Sequence, residues 1–492
     1  MENFLDRIIS FVNPGAGLRR MVHRKAIENL RGYDAASNGN RTKNWKASGG
    51  SANLENEHAL SILRNRSRNL SMNNPFARRA IQSIYTNTIG TGIRPKIEAK
   101  GKNELKRLKE TWKSWAETTA CDFDGLNNFY GLQALIMRTV AEAGECLVRM
   151  RKIPGIIPIQ FQVVEADLLD NSRTNYQLLP VENKDGRIIQ GIEFDSKGKR
   201  VAYWLFDDHP SESLSLSIES KRVPAEEVIH IYHAWRPGQV RGVPFGVAAL
   251  SKLRDFDDYE GAQLIRQKIA ACFALFVEDA VENIAGSIAG TSNNDIGQLI
   301  EKVEPGIIEH LPSGKKITFA SPPTTEGYGE YSKTILRGVS SGFGPTYESV
   351  TGDYSNVNFS SGRMGWLEFH RLIVEWQNNI MIPLFCEKAF KWFIKGCNIA
   401  GIVNKEDYTA TWTSPRREMI DPSKEVKGIT DEIRAGLTSW SEAVSAMGYD
   451  PDELFEELKK DADRWTSANL MPVSDPRFDP NRKAPENLDN SM

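Results

Sequence analysis

The chain has 492 residues, more than one simple core holds, so roughly two to four structural units are expected. Charged residues make up 26% and hydrophobic ones 40%, and the 62 basic against 64 acidic residues leave a net charge of −2. That balance argues against a surface that grips nucleic acid over its whole extent. Cys121, Cys146, Cys272, Cys386 and Cys397 include no C-x-x-C pair, so they read as buried free thiols rather than a disulfide framework or a zinc ribbon.

Residues 1–49 read as a basic arm, with nine Lys/Arg against four acids from Met1 to Lys46. Its amphipathic start is too short and interrupted for a signal peptide or a membrane span, and no apolar run of about twenty residues occurs later. A soluble intracellular protein is expected. Residues 54–89 predict two helices, the second opened by Asn74 and Pro75 and closed by Gly90 and Gly92. Arg64, Arg66, Arg68, Arg78 and Arg79 read as a solvated helix face or as a contact to a subunit or nucleic acid. Helices are predicted over 102–118 and near 128–143, with Leu105, Leu108, Trp112 and Trp115 on one stripe and Phe129, Leu132, Ile136 and Val140 on the other.

The period then falls to two. Ile157, Ile159, Phe161 and Val163 alternate with polar residues or proline, and "NKDGRIIQGIEF", "DSKGKRVAYWLF" and "VIHIYHAW" add strands, so 145–236 is mostly β. A helix returns from Gly246 to about Ala271. "CFALFVED" and a polar stretch come next, and "GIIEHLPSGKKITF" reads as a hairpin turning at Pro312, Ser313 and Gly314. After a helix over 328–341 comes "YESVTGDYSNVNFSSG" (347–362), small, polar and without Lys or Arg. The next helix, roughly 363–395, carries Trp366, Ile373, Trp376, Ile380 and Leu384 along one side and is about 50 Å long. Pro383 should kink it and Gly396 end it, while Glu368, Arg371, Glu375 and Asn378 exclude a membrane span. An acidic helical region comes after it, then a proline-rich polar tail, 467–492, that is expected to be disordered.

No phosphate-binding glycine loop, dinucleotide fingerprint or nucleophile elbow is present. His230 and His233 are spaced so that a strand sends them to opposite faces, which excludes one shared ion. Asp207 and Asp208 would likewise diverge. No catalytic residue, metal or cofactor is expected.

"NRSRNLSMNNPFARRAIQSIYTNTIGTGI" (65–93), the segment 223–279, "VTGDYSNVNFSSGR" (350–363) and "WTSPRREMIDPSKEVKGITDEIRAGLTS" (412–439) together resemble the lambda-type tailed-phage portal proteins, in the right order over about residues 50 to 465. The resemblance implies an α+β portal fold of wing, stem, clip and crown with long helices and a β-rich wing. Residues 50–245 resemble the wing, 246–272 and 326–345 the stem helices, and 273–325 the clip. Residues 346–362 resemble the channel loop, 363–399 the kinked wing helix, and 400–466 the crown-like helical region.

The resemblance further implies a ring, usually of about twelve subunits, at one capsid vertex, with double-stranded DNA in transit. Its partners would be the terminase large subunit, the major capsid or scaffold protein and a head–tail completion protein, with no membrane. Thr351, Asp353, Tyr354, Ser355, Asn356, Asn358 and Phe359 would form the DNA-channel loop. Glu304, His310, Lys315 and Lys316 would lie in the clip that docks motor and tail. Trp366, Trp376 and Trp392 are candidate apolar anchors for ring contacts. The rival readings are a structural adaptor ring away from the portal vertex, and a hydrolase assembled from His230, Asp207 and Glu227.

Overall fold

Helices α1 (Ala52–Asn73) and α2 (Pro75–Ile89) meet at Asn74, whose Oδ1 accepts Ala77 N at 2.9 Å, with Pro75 at the first helical position. The computed structural model describes residues 47–99, 101–174, 186–212, 219–271, 275–279, 315–319, 327–403, 408–415 and 419–470, besides Pro14, Gly15, Asn44 and Pro472. Most of the basic arm, Glu304, His310, the first arm of the expected hairpin and nearly all of the tail lie outside the described residues. The chain divides into units 1–55 and 56–492, and every element beyond the first turn of α1 belongs to the second.

Beyond α2 come β1 (Arg94–Glu98), α3 (Lys102–Ala116) and α4 (Phe129–Ala143). The predicted stripes on α3 and α4 are core: Leu108, Trp112, Trp115, Phe129, Leu132, Ile136 and Val140 are all buried. Trp112 stands edge-on to Phe129 at 5.0 Å and to Phe393 at 4.9 Å, which ties both helices to the long helix far along the chain. A three-stranded antiparallel sheet sits against them in the order β3 (Gln160–Val164), β2 (Glu145–Arg151), β8 (Val228–Tyr232). A second sheet runs β4 (Arg187–Ile189), β5 (Ile192–Phe194), β6 (Arg200–Leu205), β7 (Lys221–Pro224), over a smaller core of Ile189, Ile192, Tyr203, Leu205 and Val223.

Helix α5 (Leu250–Ala271) and helix α6 (Tyr328–Phe343) flank two strands, β9 (Leu275–Asp279) and β10 (Lys315–Phe319). These pair antiparallel, with Lys315 opposite Asp279 and Lys316 opposite Glu278. The second arm of the expected hairpin therefore pairs with "LFVED". Helix α7 (Tyr347–Thr351) is short, and from α8 (Phe359–Trp376) the chain stays helical through a π-helical stretch, Gln377–Cys386, into α9 (Glu387–Ile399). Pro383 lies inside the π stretch. Proline has no N–H, and its ring crowds the carbonyl one turn back, so the wider π spacing absorbs what would otherwise break an α-helix. Gly396 does not end this helix: it is buried within α9, where a Cβ would collide with Ile157. Strand β11 (Thr409–Thr413) then pairs antiparallel with β1, so the expected crown-like helical region begins with a strand. Helices α10 (Pro422–Arg434), α11 (Trp440–Ala446) and α12 (Pro451–Ser467) complete the described chain.

Arg64 departs from the reading of its run as a solvated face, because it is fully buried, whereas Arg66, Arg78 and Arg79 are exposed. Its Nη2 lies 2.8 Å from Glu145 Oε1 and its Nη1 3.0 Å from Asp167. Glu145 also receives Arg241 Nη2 at 2.6 Å, His230 Nε2 at 2.9 Å and Gly242 N at 3.0 Å. Burial alone would raise its pKa, but Arg241 and the His230 hydrogen bond hold it well below 4.5. Burial pushes His230 down to about 4, against the opposing pull of Glu145, so the ring is neutral at pH 7 and donates from Nε2.

A His whose folded pKa lies below its unfolded value of 6.5 stabilises fully above pH 6.5, and that contribution is lost as pH falls toward 4. Glu145 adds its own loss below about pH 4.5. The urea midpoint should therefore decline between pH 6.5 and 4.5, and the decline should flatten in His230→Gln. An unchanged slope in that variant would remove His230 as its cause.

Candidate nucleic-acid interface at residues 346–362

The irregular part of this segment is narrower than the expected loop. Thr346 caps α7 by accepting Ser349 N at 3.2 Å, so 347–351 is helical, and Gly352 ends it with φ +73°. At the other side Asn358 caps α8: its Oδ1 accepts Ser361 N at 2.8 Å, and Ser361 Oγ accepts Asn358 N at 3.1 Å. This reciprocal capping box starts the helix at Phe359. Thr351 and Phe359, expected in the loop, are thus the last residue of α7 and the first of α8. Seven residues, 352–358, connect the two.

The connection is tightly organised at its base. Asp353 Oδ1 accepts Ser355 N at 3.1 Å and Ser355 Oγ at 2.5 Å, an Asx-type turn, and its Oδ2 accepts the Tyr347 hydroxyl at 3.2 Å. The hydrogen bonds from Ser355 hold Asp353 below the ordinary carboxylate range, while burial raises Tyr347 and keeps it a donor. Asp353 is therefore a turn former rather than a bare repelling charge. Tyr354, Ser355, Asn356 and Asn358 are exposed, as is Phe359 at 56%. Two nearby arginines are exposed but engaged: Arg79 Nε donates to Ser349 O at 3.2 Å, and Arg337 lies over the Tyr347 ring at 5.6 Å. What projects is neutral and polar, with aromatic edges.

The mount is the long helix. Phe369, Ile373, Trp376 and Ile380 are buried along it, and Trp376 packs on Phe245 at 5.5 Å, beside the start of α5. Trp376 and Trp392 are core residues, and Trp392 Nε1 donates to Glu226 O at 3.1 Å, which corrects their reading as ring anchors. Trp366 is half-buried against Phe369.

The residues of the hydrolase reading do not converge, since each holds a different partner. His230 is bound to Glu145, Asp207 to Lys221, and Glu227 to Lys152 at 2.7 Å. His233 lies past the end of β8 and faces Glu375 at 4.0 Å. Glu165, Asp167 and His209 come close enough to suggest a cation. Arg68 already bridges Asp167 at 2.7 Å and Glu165 at 3.1 Å, and Arg64 also holds Asp167, so guanidinium occupies that role. Among the described residues no helix is long and apolar enough to cross a membrane.

The capping box generates a local test. Asn358→Ala should cost about 1 kcal/mol and loosen only the first turn of α8, seen as faster amide exchange over 359–362 with slow exchange retained at 369–376. Equal loosening along the helix would mean the cap is not what fixes its start.

Comparison with known proteins bears on the whole of this arrangement. Residues 38–377 match the family described as phage portal protein, lambda family. A probable portal protein of Halomonas phage phiHAP-1 is 27% identical over 432 residues, covering 82% of this chain and 80% of that one. Portal protein B of Escherichia phage lambda is 21% identical over 460 residues, covering 83% and 84%. Among solved structures, a chain in the neck of the native gene transfer agent particle computed with C12 symmetry aligns with a TM-score of 0.45 at 14% identity, covering 78% of this chain and 94% of that one. With more than half its length matched, the chain belongs to the lambda family of phage portal proteins.

Proposed function

We propose that this portal protein closes into a ring of about twelve copies at one capsid vertex and forms the channel through which double-stranded DNA is packaged and ejected. Residues 352–358 face the moving duplex. The observation that carries the reading is their chemistry on a rigid support: the exposed side chains Tyr354, Ser355, Asn356 and Asn358 are uncharged and stand between two capped helices, and the one carboxylate, Asp353, is held in the turn.

Each Lys or Arg placed on a phosphate strengthens binding through counterion release, and a ring multiplies that effect into a brake. Ser, Asn and Tyr touch the backbone through weak neutral hydrogen bonds that break easily as DNA advances. The strands β9 and β10, with the residues between them, serve as the clip that docks the terminase large subunit and then the head–tail completion protein. The outer body meets the major capsid or scaffold protein.

Removing residues 353–357 should leave rings that assemble normally by negative-stain microscopy but package or retain little DNA. Full genome content in particles built with that variant would rule out the channel-loop role. Reversing charge at both clip lysines, Lys315→Glu with Lys316→Glu, should reduce motor-dependent packaging at least tenfold while ring yield stays unchanged. If rings fail to form instead, β10 is chiefly an assembly surface.

A further inference from the structure

The segment "HAWRPGQVRG" (233–242) joins β8 to the start of α5, and nothing in the channel reading uses it. It presents Trp235 59% exposed, beside His233 with ring centroids 4.6 Å apart. A lone exposed tryptophan is ordinary by itself. Here the chain commits buried groups to fixing its backbone. Gln239, 6% exposed, uses Oε1 to accept Trp235 N at 3.0 Å and Arg236 N at 3.2 Å, and Nε2 to donate to Arg241 O at 2.7 Å. Its carbonyl accepts the Tyr232 hydroxyl at 2.9 Å. Gln239 N returns to Arg236 O at 3.2 Å, with Pro237 and Gly238 (φ +78°) at the central positions, as a type II turn requires. Arg241 then enters the Glu145 network. The indole is a large apolar group held in advance on a stiff turn, which lowers the ordering cost of binding.

A different set of elements carries an open groove of about 620 Å³, between α1 and the start of α5. Leu63, Leu70, Val247 and Leu250 give it apolar walls, and Arg66, Arg254 and Asp255 are at its edge. Its volume exceeds that of an indole, and the arginines can lie against an aromatic face. Trp235 does not line it; its loop packs instead toward Phe245 and the long helix through His233.

One projecting aromatic and one unfilled groove on separate elements of the same chain are the two halves of a heterologous contact, the kind that closes rings. We infer that Trp235 of each copy inserts into the groove between α1 and α5 of the next copy, with Arg236 directed toward Asp255. The partner is a second copy of this chain, so the inference rests on the proposed ring and deepens it. Arg66 and Arg254, which face solvent within one copy, then flank a buried indole, the surrounding that hot-spot tryptophans favour.

The test pairs Trp235→Cys with Ser251→Cys, a groove residue on α5. Mild oxidation of the double variant should give a ladder of covalent multimers up to ring size on a denaturing gel, which neither single variant gives. Trp235→Ala should weaken each contact roughly thirtyfold and shift assembly toward monomer by light scattering, with thermal melting unchanged. Rings from Trp235→Ala as abundant as wild type, with no ladder, overturn the inference and leave the ring reading intact. Failure of the wild-type chain to form rings with capsid protein present overturns both. Normal assembly with lost DNA retention in Trp235→Ala also overturns it, and assigns the tryptophan to nucleic acid instead.

Discussion

A carboxylate in a protein interior has to be answered on the spot, and Glu145 is answered from three distant parts of the chain. Arg64 comes from α1, His230 from β8, and Arg241 with Gly242 from the segment leading to α5. Gly144 and Gly242 make this approach possible. Gly144 has φ +92°, and a Cβ on either residue would drive into the backbone of the other strand of chain. The three-stranded sheet, the first described helix and the start of α5 are therefore placed by one group. Removing one member of such a network leaves buried charge uncompensated and typically costs about 3–5 kcal/mol.

The candidate interface follows a contrasting rule. At Glu145 charge is concentrated and buried, whereas 352–358 carries no cation and spends its one carboxylate, Asp353, on the turn. Neutrality alone would give a floppy polar loop, because Ser, Asn and Gly have little to pack with. The chain supplies order through local hydrogen bonds instead: the Thr346 cap, the Asp353 turn and the Asn358–Ser361 box. All are short in sequence, and they spend Ser355 and Asn358 on order while Tyr354 and Asn356 project from the turn. A surface of this kind is positioned without being adhesive, which suits a track better than a clamp.

How much of this is legible in the sequence depends on range. Asn74–Pro75, the α3 and α4 stripes and the alternation through Phe161 are local signals, and they point to the right elements on the right faces. Loop edges are less legible, because Thr346 and Asn358 are cap residues whose role depends on the turns beside them. Arg64 misleads because periodicity reports which residues are charged and not which charges meet; its partner Glu145 lies 81 positions away. Gly396 resembles a terminator, whereas its lack of a side chain serves packing against Ile157. The π stretch around Pro383 is visible only as an expected kink. The stripe puts Trp376 on an apolar side, but that the subunit's own core covers Trp376 and Trp392 comes from tertiary packing that a helical pattern does not encode.

The proposed ring would make a further demand on these long-range features. Each copy must present two surfaces at a fixed angle, and a small error repeated at every contact produces an open spiral rather than a ring. Net stability does not guard against that error. An apolar core of the same volume could be as stable as the Arg64–Glu145–Arg241–His230 network, yet it tolerates small slips of one element past another. A buried network has one arrangement in which every charge is met. It fixes the sheet against α1 and the segment leading to α5 in that arrangement, and the π-helical stretch carries Pro383 without interrupting the run from α8 to α9. Neither includes residues 352–358, so in the proposed ring the rigidity that closure needs is built from other residues than the surface proposed to face DNA.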